Sequence, residues 1–349
     1  MSGLGAAPIG CVPIVWRIAL LGAGRIGAMH AGLLAELVDP ASLVVADVDS
    51  DRARVVAETL RVGTSSVDEA IASADALVIA ASSTAHAPLI RAGLERGIPI
   101  FCEKPLAPDL AETQRLVDEI ESAGVPFQLG FQRRFDAGYR EACRMIEADE
   151  LGRPYVLRLA GHDPEPPHES YIPASGGLFQ DFSVHDFDVT RWLTGQEFVE
   201  VYADGDVLGF PVFAKYGDVD TAVATMRLSG GTRAVLTTTR HDPLGYDIRT
   251  EIFGSRDSVS VGLGAQTPMR SLEPGVPPPA GPAWSMFIDR FTDAYREELR
   301  AFLKVARGEE QSACTARDGL EALRVAVAAT RSLREHRPVM VAEVSATTR

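Results

Sequence analysis

An acid and an imidazole stand four residues apart in the second half of the chain, and together they could exchange a proton with a substrate. Asp181 and His185 lie in a segment, about Leu178 to Thr194, whose apolar periodicity predicts a helix. Side chains four residues apart on a helix share a face, one turn apart. A carboxylate beside an imidazole can orient the ring and raise its basicity, and histidine titrates close to neutral pH. The pair is therefore a candidate for general acid–base chemistry.

A lysine in a chemically useful position follows a predicted strand in the first half. The run Glu103-Lys104-Pro105 stands at the carboxyl end of the strand Pro99–Cys102, over the crevice where a doubly wound sheet binds ligands. There Lys104 could hydrogen-bond a reacting oxygen and stabilise the negative charge that develops on it. The alternative is an exposed Glu and Lys at a strand exit, with Pro105 ending the strand.

A glycine-rich turn near the start of the chain predicts a dinucleotide site. It matches G-x-G-x-x-G between a strand and a helix and reads Gly22-Ala23-Gly24-Arg25-Ile26-Gly27. Gly22 permits the tight turn, Gly24 lets a pyrophosphate approach the backbone, and Gly27 allows the helix to pack closely on the strand. The helix N-terminus, at Arg25 and Ile26, offers free N–H groups and a partial positive charge to the phosphates.

An acid at the end of the second predicted strand indicates which dinucleotide binds. Asp47 could accept hydrogen bonds from the adenosine ribose, and its carboxylate would repel a 2′-phosphate, so NAD is expected rather than NADP. The alternative is that Asp47 caps the next helix, and Asp49 could compete for the ribose. After the fourth strand, Ser83 could reach the cofactor or cap the helix that it opens.

The first half alternates short apolar strands with helices, which predicts a parallel sheet covered on both faces. We expect this Rossmann-type, doubly wound domain to span residues 16–130, after a flexible N-terminal extension over residues 1–15. The predicted strands are Arg17–Leu21, Leu43–Asp47, Ala76–Ala80, Pro99–Cys102 and Val125–Leu129. The predicted helices between them are Ile26–Leu37, Asp51–Leu60, Ala87–Arg96 and Asp109–Ala123.

The second half changes order and predicts an α+β domain over residues 131–341, with a short tail at 342–349. Several strands follow one another without helices between them, which favours antiparallel hairpins in a large, open, mostly antiparallel sheet. The predicted strands are Tyr155–Ala160, Phe198–Ala203, Thr221–Leu228, Thr232–Thr239, Ile248–Phe253 and Ser258–Val261. Helices are predicted at about Ala137–Ala148 and Leu178–Thr194, and two closing helices at about Met286–Ala306 and Ala316–Glu335. An open sheet leaves one face uncovered, so a homo-oligomer, either a dimer or a tetramer, is expected.

Composition excludes several classes of protein. The 349 residues exceed the roughly 250–300 at which one core stops growing, which again predicts two domains. A chain that is 46% hydrophobic and 23% charged is typical of a globular protein rather than a disordered or fibrous one. The formal charge of −14 argues against nucleic acid as a partner, because phosphates would be repelled. No uncharged apolar stretch approaches the roughly 20 residues that span a bilayer, so no membrane partner is expected.

The cysteines predict a cytoplasmic protein. They are widely spaced and form no C-x-x-C pair, which argues against a zinc site and against a secreted disulfide framework. They are Cys11, Cys102, Cys143 and Cys314. The apolar stretch Ile9–Ile18 has no Lys or Arg before it and contains Pro13, so it is not typical of a signal peptide.

Three segments, in this order, resemble the signatures of the glucose-fructose oxidoreductase, inositol dehydrogenase and rhizopine catabolism (Gfo/Idh/MocA) family. They are the glycine turn, Glu103-Lys104-Pro105, and Gly176-Gly177-Leu178-Phe179-Gln180-Asp181-Phe182-Ser183-Val184-His185-Asp186-Phe187-Asp188. The resemblance covers about Arg17 to Val341. It implies a Rossmann domain, a second domain whose open sheet serves oligomerisation, and a Lys104–Pro105 bond that is often cis. It also implies that Lys104, Asp181 and His185 surround the substrate, with Glu103 and Lys104 near the nicotinamide.

Further segments are similar to inositol 2-dehydrogenases. Gly130–Asp136 resembles their G-F-x-R-R-[FY]-D segment, which implies that Arg133 lies near a substrate hydroxyl, and Gly245-Tyr246-Asp247 implies that Tyr246 lies at the pocket. The alternatives are an exposed arginine pair at a domain junction and a strand-end aromatic. Two residues depart from the pattern: Phe182 replaces a small hydroxylated residue, and Gln132 a residue that is often apolar. The identity of the cyclitol therefore stays open.

A loop rich in His and acidic residues precedes Gly176. We expect the loop to border the substrate pocket, with His162 contacting the substrate; Glu165 and His168 also lie in it. No second ligand set accompanies the loop, so no metal site is expected.

Together these features predict an NAD-dependent dehydrogenase of a cyclitol or sugar secondary alcohol. The reaction needs a base to take the hydroxyl proton as hydride leaves the carbon, and His185 can be that base. The alternative from the same family is a glycosidase or lyase that retains NAD and uses transient oxidation with no net NADH. A non-catalytic dinucleotide sensor is disfavoured by the intact Lys104, Asp181 and His185 set.

Overall fold

Two β-sheets organise residues 16–345, the part of the chain that the computed structural model describes. The predicted extension over residues 1–15 and the last four residues of the predicted tail lie outside this part. No helix among residues 16–345 combines the length and the apolar character that crossing a membrane requires.

The first sheet has six parallel strands in the order β3-β2-β1-β4-β5-β6, as predicted for a doubly wound domain. The strands are β1 (Ile18–Leu21), β2 (Leu43–Ala46), β3 (Gly63–Thr64), β4 (Ala76–Ile79), β5 (Ile100–Glu103) and β6 (Phe127–Gly130). The helices are α1 (Arg25–Leu37), α2 (Ser50–Leu60), α3 (Val67–Ser73), α4 (Ser83–Arg96) and α5 (Leu110–Ala123). Every residue of β1 and β4 is buried, which is why their sequences are continuously apolar. The two-residue strand β3 and the short helix α3 were not predicted.

The second sheet has seven strands in the order β12-β11-β7-β10-β9-β8-β13. The strands are β7 (Pro154–His162), β8 (Phe198–Asp206), β9 (Thr221–Leu228), β10 (Arg233–Thr239), β11 (Asp247–Gly254), β12 (Ser258–Val261) and β13 (Val339–Met340). The helices are α6 (Ala137–Glu147), α7 (Ile172–Ser175), α8 (Val184–Thr194), α9 (Phe287–Ala306) and α10 (Ala316–Glu335). The sheet is mostly antiparallel, as predicted, but the expected β10–β11 hairpin is wrong. The earlier strand β7 lies between those two strands, parallel to β10 and antiparallel to β11.

One face of the second sheet is covered and the other is open. Helices α8 and α10 pack on the covered face, against β7 and β8. The open face carries exposed large side chains from three strands, alternating along each strand with buried residues. They include Tyr202, Val223 and Val235.

Two buried arginines join the end of the first sheet to helix α8. Residues Gln132–Phe135 form a 3₁₀ turn directly after β6. Within it, Arg133 Nη1 lies 2.6 Å from Asp186 Oδ1, and Arg134 Nη2 lies 2.6 Å from Asp188 Oδ1. Because these side chains are only 1% and 5% exposed, the alternative of an exposed arginine pair is wrong. The pairing fixes α8 over the carboxyl ends of the parallel strands.

Candidate active site

The glycine turn between β1 and α1 leaves space where a phosphate would approach. A Cβ on Gly22, whose φ is +105°, would lie 2.6 Å from the Ala81 backbone, and one on Gly27 only 1.8 Å from the Gly22 carbonyl oxygen. A Cβ on Gly24 would have no neighbour within 4 Å among the described residues. No side chain of the described residues caps α1 at Gly24. These features fit a dinucleotide pyrophosphate bound at the helix N-terminus.

Asp47 is tied to this turn. Its carboxylate accepts hydrogen bonds from the backbone N–H groups of Ala23, at 2.6 Å, and Asp49, at 2.8 Å. Asp49, not Asp47, caps α2, by accepting from the Arg52 N–H at 3.2 Å. The capping alternative for Asp47 is therefore wrong, and its contact with the ribose stays a prediction.

The side chains beside the turn have separate contacts. The Arg25 guanidinium lies 5.2 Å from the centre of the Phe287 ring. Ser83 is the first residue of α4, whose N-cap is Ser82, so Ser83 is not the cap. The chain order reverses between β1 and β4, the position at which doubly wound sheets bind ligands, and both of their helices start there.

Two histidines contact the residues on either side of Lys104. The fully buried His30 contacts Glu103 Oε1 through Nε2 at 2.7 Å, which turns that carboxylate toward α1. His86 lies 2.6 Å from the Pro105 carbonyl oxygen through Nδ1 and 3.1 Å from the Ala81 carbonyl oxygen through Nε2. Burial lowers the pKa of His86, so its neutral ring donates a hydrogen bond to one of these carbonyls. The Lys104–Pro105 bond is cis, as the family resemblance implies.

The structure brings Lys104 and Asp181 together from the two halves of the chain. Lys104 Nζ donates to the Asp181 carbonyl oxygen at 2.7 Å and lies 3.5 Å from Asp181 Oδ1. The Tyr171 hydroxyl donates to Oδ1 at 2.9 Å, and Arg240 Nη2 lies 2.9 Å from Oδ2. Burial acts to raise the pKa of Asp181, but the charges of Lys104 and Arg240 outweigh it and hold that pKa below its usual value.

His185 does not lie one α-helical turn from Asp181. Residues Phe179–Ser183 form a π-helical turn, and α8 begins only at Val184. No hydrogen bond joins Asp181 to His185, whose Nδ1 has no partner among the described residues and whose ring packs edge-on against Phe131 at 5.5 Å. Burial, with Lys104 and Arg133 nearby, places the pKa of His185 well below its usual value. The prediction that Asp181 orients His185 and raises its basicity is therefore wrong.

Other buried polar atoms near His185 also lack partners. Arg133 Nε and Nη2 and Asp186 Oδ2 have no hydrogen-bond partner among the described residues. Tyr246 is buried, its backbone N–H donates to the Trp284 carbonyl oxygen at 2.7 Å, and burial raises the pKa of its phenol. Unpartnered buried donors and acceptors are rare in proteins, so these atoms indicate a polar ligand.

His162 lies on the other side of the sheet from α8. Its Nδ1 is 2.9 Å from Thr239 Oγ1 on β10. The neighbouring Gly161 faces α8, where an added Cβ would lie 3.0 Å from Phe182 Cε1 and 3.4 Å from Asp186 Oδ2. Because successive strand residues point to opposite faces, His162 and Gly161 lie on opposite faces of the sheet, and a substrate contact by His162 stays a prediction. Phe182 occupies the space that a side chain at position 161 would fill.

Three residues of the site were not predicted. Arg240 and Tyr171 contact Asp181, and Asp163 lies 3.4 Å from Arg240, between Asp163 Oδ2 and Arg240 Nη1. Asp163 and Arg240 directly follow β7 and β10, and only the parallel pairing of those strands brings them together. The sequence held no signal for that pairing. No cluster of three or more His, Cys, Asp or Glu side chains suited to a metal occurs within residues 16–345.

Comparison with known proteins gives matches over nearly the whole chain. Residues 16–131 match the model of an oxidoreductase family with an NAD-binding Rossmann fold, and residues 139–260 match the GFO/IDH/MocA C-terminal domain. The myo-inositol dehydrogenase Hyg17 of Streptomyces leeuwenhoekii is 43% identical over 90% of this chain and 96% of its own length. The myo-inositol 2-dehydrogenase of Thermotoga maritima is 37% identical over 94% of this chain and 99% of its own.

A solved structure agrees with these matches. The scyllo-inositol dehydrogenase of Lactobacillus casei, with bound NAD(H) and scyllo-inositol, superposes with a TM-score of 0.84 at 29% identity. The match covers 94% of this chain and 99% of that one.

Proposed function

The chain belongs to the Gfo/Idh/MocA family of NAD-binding oxidoreductases, and from this membership we propose that it oxidises a secondary alcohol of a cyclitol or sugar, an inositol first among them. One observation carries the proposal. Lys104, at the end of a parallel strand, meets Asp181 from the other half of the chain at 2.7 Å, beside a neutral histidine. Such a set stands where a dinucleotide-binding sheet presents its ligand.

The residues of the glycine turn fit NAD. The open space at Gly24 and the uncapped N-terminus of α1 would receive the pyrophosphate, and Asp47 would face the ribose. When bound, NAD supplies the hydride acceptor. Glu103 and Ser83 are proposed to border the cofactor at the neighbouring strand ends.

The catalytic roles that we propose for His185, Lys104 and Asp181 follow from their protonation states and ion pairs. His185 is neutral because its pKa is depressed, so its imidazole can take the hydroxyl proton as the alcohol is oxidised. Lys104 would hydrogen-bond the same oxygen and stabilise the charge that it gains. Asp181 would anchor Lys104 rather than orient His185, since both carboxylate oxygens already have partners.

The unpartnered polar atoms support a polyhydroxylated substrate. Each hydroxyl of a cyclitol can donate and accept, which suits Arg133 Nε and Nη2 as donors and Asp186 Oδ2 as an acceptor. Arg133 is therefore proposed to contact the substrate, and Tyr246, buried with the Arg133 charge acting on its phenol, is proposed to contact it as well.

NADH formation with a panel of inositols and sugars tests the function. We expect an absorbance increase with NAD and at least one inositol, and a much smaller one with NADP. Cleavage of a glycoside without NADH accumulation would instead indicate a glycosidase or lyase that retains NAD. Absence of both reactions would contradict the proposal.

Assembly and compartment are also proposed. The open face of the second sheet exposes large side chains from three strands, and we propose that it is buried between subunits of a homo-oligomer. A monomeric mass by light scattering would contradict this. The three cysteines among the described residues are buried free thiols, which supports a reducing, cytoplasmic compartment.

A further inference from the structure

An almost fully buried arginine lies between two carboxylates at the edge of the proposed active site. Arg240 is 2% exposed; its Nη2 is 2.9 Å from Asp181 Oδ2 and its Nη1 is 3.4 Å from Asp163 Oδ2. Its guanidinium lies 5.8 Å from the centre of the Phe182 ring. Burying three charges is costly unless each is paired, so the arrangement requires a reason beyond packing.

The reason lies in the contacts of Asp181. Tyr171 donates to Oδ1, and Lys104 Nζ is 3.5 Å from the same atom, while Arg240 Nη2 forms an ion pair with Oδ2 at 2.9 Å. The carboxylate is therefore held in one orientation, with the Lys104 ammonium directed at it and at the adjacent carbonyl oxygen.

We propose that Arg240 and Asp163 form a positioning pair that sets the charge and direction of Lys104 through Asp181. The proposal rests on the proposed function only where it is tested by the pH profile of kcat/KM. In this proposal neither Arg240 nor Asp163 contacts the reacting atoms. Arg240 supplies a positive charge that keeps Asp181 ionised, and Asp163 withdraws part of that charge when it is itself ionised.

The surrounding charges define the expected direction of each effect. Asp163 faces Arg240, Asp181 and Lys104, and burial raises its pKa to about 6. Beyond the two carboxylates, Asp218 also acts on Arg240, and the charges that act on His185 are Lys104 and Arg133. Below pH about 6 Asp163 is protonated and uncharged, so Asp181 is the ionised carboxylate that pairs with Arg240. Above pH about 6 Asp163 is ionised and adds a negative charge beside Lys104.

Two substitutions of opposite charge effect test the pair. Arg240→Met removes a positive charge beside Asp181, so the alkaline limb of the pH profile of kcat/KM should move to higher pH, while the acid limb, which His185 sets, should stay in place. Asp163→Asn removes a negative charge that is present only above pH about 6. It should therefore leave the acid limb in place and move the alkaline limb to lower pH.

Arg191→Met is the matched control. Arg191 also lies between two carboxylates, 2.7 Å from Glu197 and 3.4 Å from Asp318, but at the far end of α8. It should lower thermal stability and leave the profile unchanged. Profiles for Arg240→Met and Asp163→Asn that match the wild type in both limbs would overturn the proposal. If Arg240→Met does not fold, Asp163→Asn tests the proposal by itself, and an alkaline limb at the wild-type pH in that variant would overturn it.

A readout without turnover separates this proposal from the function. The chain has three lysines, Lys104, Lys215 and Lys304, and the last two are surface residues that serve as internal references. We expect the acetylation rate of Lys104 relative to these two lysines, measured at one pH by peptide mass spectrometry, to fall in Arg240→Met and to rise in Asp163→Asn. If the wild type forms no NADH with any substrate but the relative rates change in this way, the proposed function is wrong and the positioning pair is supported. Unchanged relative rates would contradict the pair even in an active enzyme.

Discussion

Two turns bound the proposed active site, and they are built in different ways. The glycine turn, residues 22–27, is made of backbone: its requirements are a positive φ at Gly22 and the absence of a Cβ at Gly27. The acid turn, residues 179–185, depends on side-chain contacts with Lys104 and Arg240, which directly follow β5 and β10. A backbone turn is specified by its own sequence. The acid turn depends on side chains from distant parts of the chain, so the sequence pattern within residues 179–185 predicts its geometry incompletely.

The acid turn predicts the largest effect. His185→Ala removes the proposed proton acceptor, so kcat should fall by about 10²–10⁴-fold, the usual contribution of general acid–base catalysis. Because His185 lies on α8 and not at the glycine turn, the Kd for NAD should change little. Steady-state kinetics with NAD titration measures both. An unchanged kcat would remove His185 from the mechanism.

The glycine turn predicts a contrast between two glycines of one motif. A Cβ at position 27 would lie 1.8 Å from the Gly22 carbonyl oxygen, so Gly27→Ala should lower the free energy of unfolding by about 1–3 kcal/mol, as overpacking does. Gly24→Ala meets no atom within 4 Å among the described residues and should keep the wild-type melting temperature.

Affinity for NAD completes that contrast. Gly24→Ala should weaken it by about tenfold or more, equivalent to about 1.4 kcal/mol, because the methyl group occupies the approach of the pyrophosphate. Thermal melts and NAD titrations of the two variants check both statements. Equal stability losses would show that the turn is not packed as described.

The smallest predicted effect is the position of the acid limb in the pH profile of kcat/KM. Burial, Lys104 and Arg133 lower the pKa of His185 from its ordinary value near 6.5, so its neutral form persists into acid. Since the neutral ring is the proton acceptor, the acid limb of kcat/KM should lie below pH 6.5. At pH 5.5 the wild type should retain more of its kcat/KM than the roughly one tenth that an ordinary histidine would leave. A limb at or above 6.5 would contradict the charge environment described.

The comparison also explains how much could be predicted from the sequence. The long elements were predicted to within a few residues, because continuous apolar strands and amphipathic helices carry their own pattern. The helix α3, Val67–Ser73, is short and rich in small residues, and its only clear signal is the Ser66–Glu69 capping box. The place of β7 between β10 and β11 depends on pairing across the chain, which strand periodicity does not encode.

Within the site, the errors have physical causes. The motif identified Lys104, Asp181 and His185, but the π-helical turn at Phe179–Ser183 removes the α-helical register that the spacing assumed. The neighbouring Gly161, not His162, faces α8, because strand residues alternate between faces, and a substrate contact by His162 stays a prediction. Arg240 showed no local pattern at all.

The central claim is that Lys104 and His185 act on one alcohol, and a double-mutant cycle tests it most directly. The cycle compares single-turnover NADH formation from an inositol, at saturating NAD, in the wild type, Lys104→Met, His185→Gln and the double variant. When two residues act in the same step, replacing both lowers the rate little more than replacing either one alone. The single-turnover rate of the double variant should therefore be within a few-fold of that of the slower single variant. Losses that multiply would contradict the claim and place the two side chains at separate steps.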